Sequence, residues 1–400
     1  MQFRPLHIVL VFFLSVLILE SCIDNDADRL TMSSKSAITP LGSIDALPES
    51  VVHPTDNPYS KEKALLGRLL FYDPILSGEK DVSCATCHHP EFGYAENIEL
   101  SIGVGGRGLG LDRFSNRLGE IPFAKRNSQT ILNTAFNGIE SNKECDPSKA
   151  PMFWDLRSKS LEDQSLHPIR QFEEMRGPNF DEKNILKVVV ERLREIPAYQ
   201  TLFGQAFNSD QPITEENLAK AIACFERTLI ANKSRFDLYM RGDEHAISLS
   251  EKEGLDLFLN AGCARCHAGP MFSDFQVHTI AAPDAEKINT PDSGFQQQFA
   301  FRTPTLRNLR FTAPYMHSGK IQTLENVLTF YEDLRGKPLR TTHVQTLQLD
   351  TLAKQIKLEF KDISRILEFL NTLNDPNYDR EIPKSVPSGL PVGGNIRLEQ

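Results

Sequence analysis

No stretch of this chain is long and apolar enough to cross a bilayer as a folded helix. The longest hydrophobic run, IVLVFFLSVLIL at residues 8–19, falls short of the roughly 20 residues that a spanning helix needs. Basic residues are not in surplus either: Lys and Arg number 44 against 53 Asp and Glu, a formal charge of −9. The phosphate-neutralising surface of a nucleic-acid binder is therefore missing, whereas a small neutral substrate is compatible with the charge. Convincing alternating strands are absent, which argues against a sheet-based core. Cysteine occurs seven times and tryptophan once, so the places where they stand are informative. With 40% hydrophobic residues, a chain of this length can fill two or three cores.

The short apolar run follows a basic Arg4 and reads as a signal peptide, residues 1–21. It stops at Leu19-Glu20-Ser21-Cys22, which resembles a bacterial lipobox, with Glu20 an unusual residue inside it. On that reading Cys22 is the lipidated first residue of an exported, membrane-anchored periplasmic lipoprotein. The alternative is an ordinary signal peptide cleaved nearby, with Cys22 a bystander. Residues 22–58, rich in Asp, Ser, Thr and Pro, are expected to be a tether.

Helical periodicity dominates from Ser60 onward. Thr214 is the expected N-cap of a core helix with Leu218, Ile222, Phe225 and Leu229 on one stripe and Cys224 on the same buried face. Ser250 is the expected cap of a helix carrying Leu255, Phe258 and Leu259, ending at Gly262. A C-terminal helix shows Ile363, Ile366, Leu367 and Leu370 at i, i+3, i+4 and i+7. Long Gly- and Pro-marked loops, such as residues 101–127 and 281–301, separate these helices, and a core so interrupted needs something else to organise it. Gly103, Gly105 and Gly108 spell G-x-G-x-x-G, but no strand precedes them, so a turn-rich loop is the better account than a dinucleotide site.

Two stretches repeat one grammar. DVSCATCHHP holds Cys84, Cys87 and His88, and GCARCHAG holds Cys263, Cys266 and His267. Zinc knuckles pair about 15–20 residues apart, and a redox dithiol sits in a βαβ unit; neither requires a histidine directly after the second cysteine. Covalent c-type haem does, because both thiols add across the porphyrin vinyl groups and the adjacent imidazole then ligates the iron. Two haem c groups follow, with His88 and His267 as proximal ligands and His89 a neighbour. Cys145 and Cys224 are left over, and a disulfide between them stays open.

Beyond the motifs, LGRLLFYDPILSGEKDVSCATCH, RNSQTILNTAFN, MFWDLRSKSLEDQ, HPIRQFEEM, AIACFERTL and TPTLRNLRFTAPYMHSG resemble the bacterial dihaem cytochrome c peroxidase family, MauG-type enzymes included. The resemblance implies a mainly α fold of two cytochrome c-like helical domains with long loops, a haem in each: a peroxidatic domain at residues 59–212, an electron-transfer domain at 213–380 and a tail at 381–400. It implies catalytic roles for Glu174 as acid/base, for Gln164 and Pro168 in the distal pocket, and for Trp154 between the haems. It also implies an interdomain Ca2+ near Asn127, Thr312 and Pro314, whose oxygens suit a hard cation.

Two departures refine this. Where reductively activated members carry a removable histidine ligand after the first motif, SIGVGG offers Val104, and valine cannot bind iron. The N-terminal haem is therefore expected to rest with an open sixth position. Where those peroxidases carry an axial methionine, TLENVLTFYEDLRG offers Tyr331, as MauG-type enzymes do, with Met316 the rival ligand. The implied function is reduction of hydrogen peroxide to water at the N-terminal haem, electrons coming through the C-terminal haem from a small periplasmic cytochrome c or cupredoxin. The alternatives are a MauG-like oxidase, spending stored oxidising equivalents on a protein or small organic substrate, and a non-catalytic electron-transfer cytochrome.

Overall fold

The computed structural model describes residues 43–140 and 144–397. Residues 8–19, Cys22 and the expected cleavage point lie outside them, and no helix among the described residues is long and apolar enough to cross a membrane. In chain order the helices are α1 (Lys61–Tyr72), α2 (Cys84–Cys87), α3 (Leu161–Arg170), α4 (Ile185–Arg194), α5 (Pro197–Ala206), α6 (Glu215–Glu226), α7 (Arg235–Met240), α8 (Leu249–Asn260), α9 (Leu324–Asp333), α10 (Thr351–Lys354) and α11 (Ile363–Thr372). The described strands are two short ones, β1 (Val277–His278) and β2 (Phe301–Arg302), paired antiparallel with Val277 opposite Arg302. The architecture is mainly α, as the periodicity led one to expect.

Local chemistry starts the helices. The Ser60 side chain accepts from the Lys63 N–H at the head of α1, and Thr214 accepts from Asn217 at the head of α6. Two details differ from the sequence reading. Ser248, not Ser250, caps α8, because it forms a capping box with Glu251 three residues on. α6 stops at Glu226, so Leu229 lies past its end, though fully buried in the next cluster.

Two cores carry the helices. In the first, Leu66 and Leu70 of α1 pack with Val189 and Leu193 of α4 and with Leu218 and Ile222 of α6. In the second, Phe258 of α8 meets Ile366, Phe369 and Leu370 of α11 and Leu328 of α9. Each such side chain contributes roughly 1.5–3 kcal/mol by leaving water. Both cores hinge on a glycine crossing: a Cβ on Gly67 would lie 1.9 Å from the Ala221 carbonyl oxygen of α6, and one on Gly254 would lie 2.0 Å from that of Arg365 in α11. α6, which the sequence reading set at the head of the second domain, thus packs on α1.

The expected tether is described from residue 43 on, and that part is packed rather than free. Leu47 is buried and its N–H donates to Asp237 at 3.0 Å, while buried Asn57 donates to Glu162 at 2.7 Å. The tail folds back too: Gly393 donates to the Tyr72 carbonyl at 2.8 Å and accepts from the Thr86 hydroxyl at 2.9 Å. Cys145 and Cys224 are both free thiols, Cys224 fully buried.

Candidate active site

Each C-x-x-C-H motif is held so that its histidine can offer a lone pair. At the first, the Ser83 N–H donates to the Thr86 hydroxyl at 2.9 Å at the head of α2, and the His88 Nδ1–H donates to the Tyr94 carbonyl at 3.0 Å. At the second, Gly262 in a left-handed conformation opens a short turn over Cys263–Arg265, and the His267 Nδ1–H donates to the Phe272 carbonyl at 3.0 Å. Burial lowers both imidazole pKa values, and the carbonyls fix the tautomer. Both rings are thus neutral with Nε2 unprotonated, the form that binds a metal. Burial pushes the Cys84 and Cys263 thiols up to about 12. None of the four motif cysteines is tied up in a disulfide. The neighbouring His89 is turned to its own loop, its Nδ1 accepting from the Glu91 N–H at 3.3 Å.

One continuous cavity of about 480 Å3 is lined by Cys84, Cys87 and His88 from the first motif and by His267 from the second. The residues singled out from the sequence meet in it: Trp154, Gln164, Pro168, Glu174, Asn127, Thr312, Pro314, Met316 and Tyr331 all line its wall. Cys263 and Cys266 do not; Cys263 packs against the second core, and Cys266 lies beside Asp274 and His278. That trio is no separate metal site if Cys266 is spent on a thioether. Its imidazole is already taken, held at 2.9 Å by both Asp274 and Asp350. A cavity with a C-x-x-C-H thiol pair, a neutral imidazole from each motif and an apolar wall suits c-type haem.

Glu174 sits on a five-residue π-helical turn, Phe172–Arg176, the kind of local distortion that re-aims side chains at functional sites. The residue is half-buried and lines the cavity wall. That burial, reinforced by Glu173 and opposed by Arg157, raises its pKa to about 7. The glycine-rich loop supports this turn: a Cβ on Gly103 would lie 2.2 Å from the carbonyl oxygens of Glu173 and Glu174, and Val104 donates to the Glu174 carbonyl at 3.1 Å. The Val104 side chain is buried in the first core with Met175.

Trp154 is 8% exposed, and its indole N–H donates to the Asn127 carbonyl at 3.1 Å. The Asn127 amide donates to the carbonyls of Ile98 and Glu99, so Oδ1 is the atom it can offer a cation. Tyr331 projects from α9, and among the described residues its hydroxyl has no hydrogen-bond partner. Burial, with the thiols of Cys266 and Cys263 close by, raises its pKa far above the ordinary phenol value. Met316 packs near Tyr331 on the same wall, on a residue with φ of +71°.

Sequence reasoning missed two wall residues. Glu226, 4% exposed, has an unpartnered Oε2 and a pKa raised to about 8 by burial. Arg302, 6% exposed, has no acid beside it among the described residues. Neither stands out from its neighbours in the chain, because burial without a partner is a property of the fold.

Comparison with known proteins gives a consistent result. Residues 61–245 match the family model for di-haem cytochrome c peroxidase. The chain is 34% identical to the methylamine utilization protein MauG of Methylorubrum extorquens over 82% of both chains. It is 32% identical to the cytochrome c551 peroxidase of Pseudomonas aeruginosa over 78% of this chain and 87% of that one. The crystal structure of a MauG-like protein associated with microbial copper homeostasis superimposes with a TM-score of 0.67 at 28% identity, covering 82% of this chain and 95% of that one.

Proposed function

Because the chain belongs to the di-haem cytochrome c peroxidase family, an oxidoreductase family, we propose that it reduces hydrogen peroxide to water on the side of the cavity lined by His88 and Glu174. The observation that carries this reading is Glu174, a carboxyl facing the same cavity as His88 with a pKa raised to about 7. When bound, the haems would pass on the donor's electrons and offer the iron at which peroxide is reduced, held by His88 on the peroxide side and His267 on the other. Glu174 takes the proton from one peroxide oxygen and returns it to the departing one, a task best done by a group whose pKa lies near the operating pH. Gln164 and Pro168, on α3, bound the pocket in which peroxide sits. The balance is H2O2 with two electrons and two protons giving two waters. The electrons come from a small donor of cytochrome c or cupredoxin type on the C-terminal side, with Trp154 as the relay residue.

Val104 has its side chain in the core, so this loop supplies no ligand to the peroxide side, which then rests open. Tyr331 is the further ligand on the C-terminal side. Asn127, Thr312 and Pro314 offer a Ca2+ neutral oxygens. The division of the fold is placed at 212/213, a peroxidatic part before it and an electron-transfer part after it. Export as a lipid-anchored protein rests on residues 1–22 alone. A second reading, a MauG-like oxidase acting on a protein or organic substrate, is favoured by Tyr331 and by the likeness to MauG.

Peroxide turnover with a reduced small c-type cytochrome separates the two. Oxidation of two donor molecules per H2O2 is the expected result. Peroxide consumed without donor oxidation, while an added protein or organic compound is oxidised, overturns the peroxidase reading in favour of the second.

A further inference from the structure

Four arginines are buried among the described residues, and three of them face a carboxylate. Arg227 pairs with Glu162 at 2.9 Å, Arg307 with Asp237 at 3.0 Å, and Arg113 lies 3.7 Å from Glu96. Arg302 is the exception. Its Nε donates to the Phe153 carbonyl at 2.9 Å and one terminal nitrogen to the Gln129 side chain at 3.1 Å, both neutral acceptors. Burial lowers its pKa to about 10 with no acid to oppose the shift. A guanidinium in such surroundings is strongly unfavourable unless an anion completes it, and the described residues provide none.

The arginine is also firmly aimed. β2 fixes its backbone, and its N–H donates to the Trp154 carbonyl at 2.7 Å. The side chain lines the cavity shared by His88 and His267. The missing anion must therefore come with whatever fills that cavity, and each haem of this family brings two propionate carboxylates. A planar carboxylate matches the guanidinium fork better than any other group a haem carries. We propose that Arg302 clamps a haem propionate, acting as a positioning residue whose carbonyl braces at Phe153 and Trp154 tie the clamp to the tryptophan. The inference rests on the two-haem reading above. A cation fixed beside a propionate favours the reduced, more electron-rich haem, so Arg302 raises the potential of the haem it holds.

The test uses the holoprotein with Arg302→Gln and Arg302→Lys. Mass spectrometry counts haems, spectroelectrochemistry gives the potential of each, and resonance Raman reads the propionate bending modes. We expect Arg302→Gln to keep both haems, to move one potential to a more negative value and to shift the propionate mode of that same haem, with Arg302→Lys recovering part of both changes. The haem that moves identifies which propionate is held. Two haems with both potentials and all propionate modes unchanged in Arg302→Gln would overturn the clamp, whereas fewer than two haems in the unmodified protein would overturn the reading beneath it. Should Arg302→Gln fail to fold, acid titration of the unmodified protein decides: one propionate mode must resist protonation when the others have titrated, and joint titration of all of them rejects the proposal.

Discussion

Glu174 owes its chemistry to where the fold puts it, since an acid beside another acid in QFEEMRG would ordinarily be a solvated surface group. Burial lifts its pKa from 4.5 to about 7, so its base form grows as pH rises through about 7. The rate of reaction with H2O2 should rise over the same range, and Glu174→Gln should slow it by about 10²-fold or more without changing the haem spectrum; stopped-flow absorbance against pH measures both. The folded state binds a proton here that the unfolded chain has lost, so this group costs stability as pH climbs from about 4.5 to about 7, and Glu174→Gln removes that contribution. At this scale the sequence was most legible where chemistry is covalent: thiols at i and i+3 with a histidine at i+4 leave little freedom. Arg302 and Glu226 were illegible, because Arg302 in AFRTPT and Glu226 next to Arg227 look ordinary. Only the fold shows that Arg227 is spent on distant Glu162.

Among the elements, α9 presented the sharpest choice. Its Leu324, Val327 and Tyr331 turn one side toward the cavity, and helical spacing alone would equally suit a core tyrosine whose hydroxyl bonds to backbone. The Tyr331 hydroxyl instead lies near Cys263 and Cys266 with no protein acceptor among the described residues. Tyr331→Met should raise the potential of the C-terminal haem, since a thioether favours ferrous iron where a phenolate disfavours it, and Met316→Leu should leave it unchanged; near-infrared spectra with redox titration would show the reverse if Met316 is the ligand. The helix crossings were not legible at all, because a glycine inside a helix pattern looks like a weak point until its partner is known. Gly67→Ala and Gly254→Ala should each cost about 1–3 kcal/mol by forcing a methyl onto a backbone carbonyl. Thermal melts should show both losses, and an unchanged Tm for either variant would mean that its helix pair can separate freely. The capping of α8 by Ser248 shows a smaller ambiguity: Ser248 and Ser250 each precede a glutamate by three residues, and sequence alone does not say which box closes.

The whole molecule gathers two sequence-distant motifs onto one cavity, and this was legible only through resemblance, since spacing along the chain does not say which loops meet. The packing of residues 43–58 and of the tail was not legible, because their polar composition reads as unstructured while a few buried anchors, Leu47, Asn57 and Val386, decide otherwise. On the proposed reading the protein is an enzyme whose peroxide side rests open, with the Val104 side chain packed in the core and Glu174 facing the cavity. The most direct measurement is the absorption spectrum of the purified, fully oxidised protein before and after one equivalent of H2O2, with no reductant present. An immediate change in the haem bands is the predicted result; a spectrum that stays unaltered until the protein has first been reduced would contradict the account.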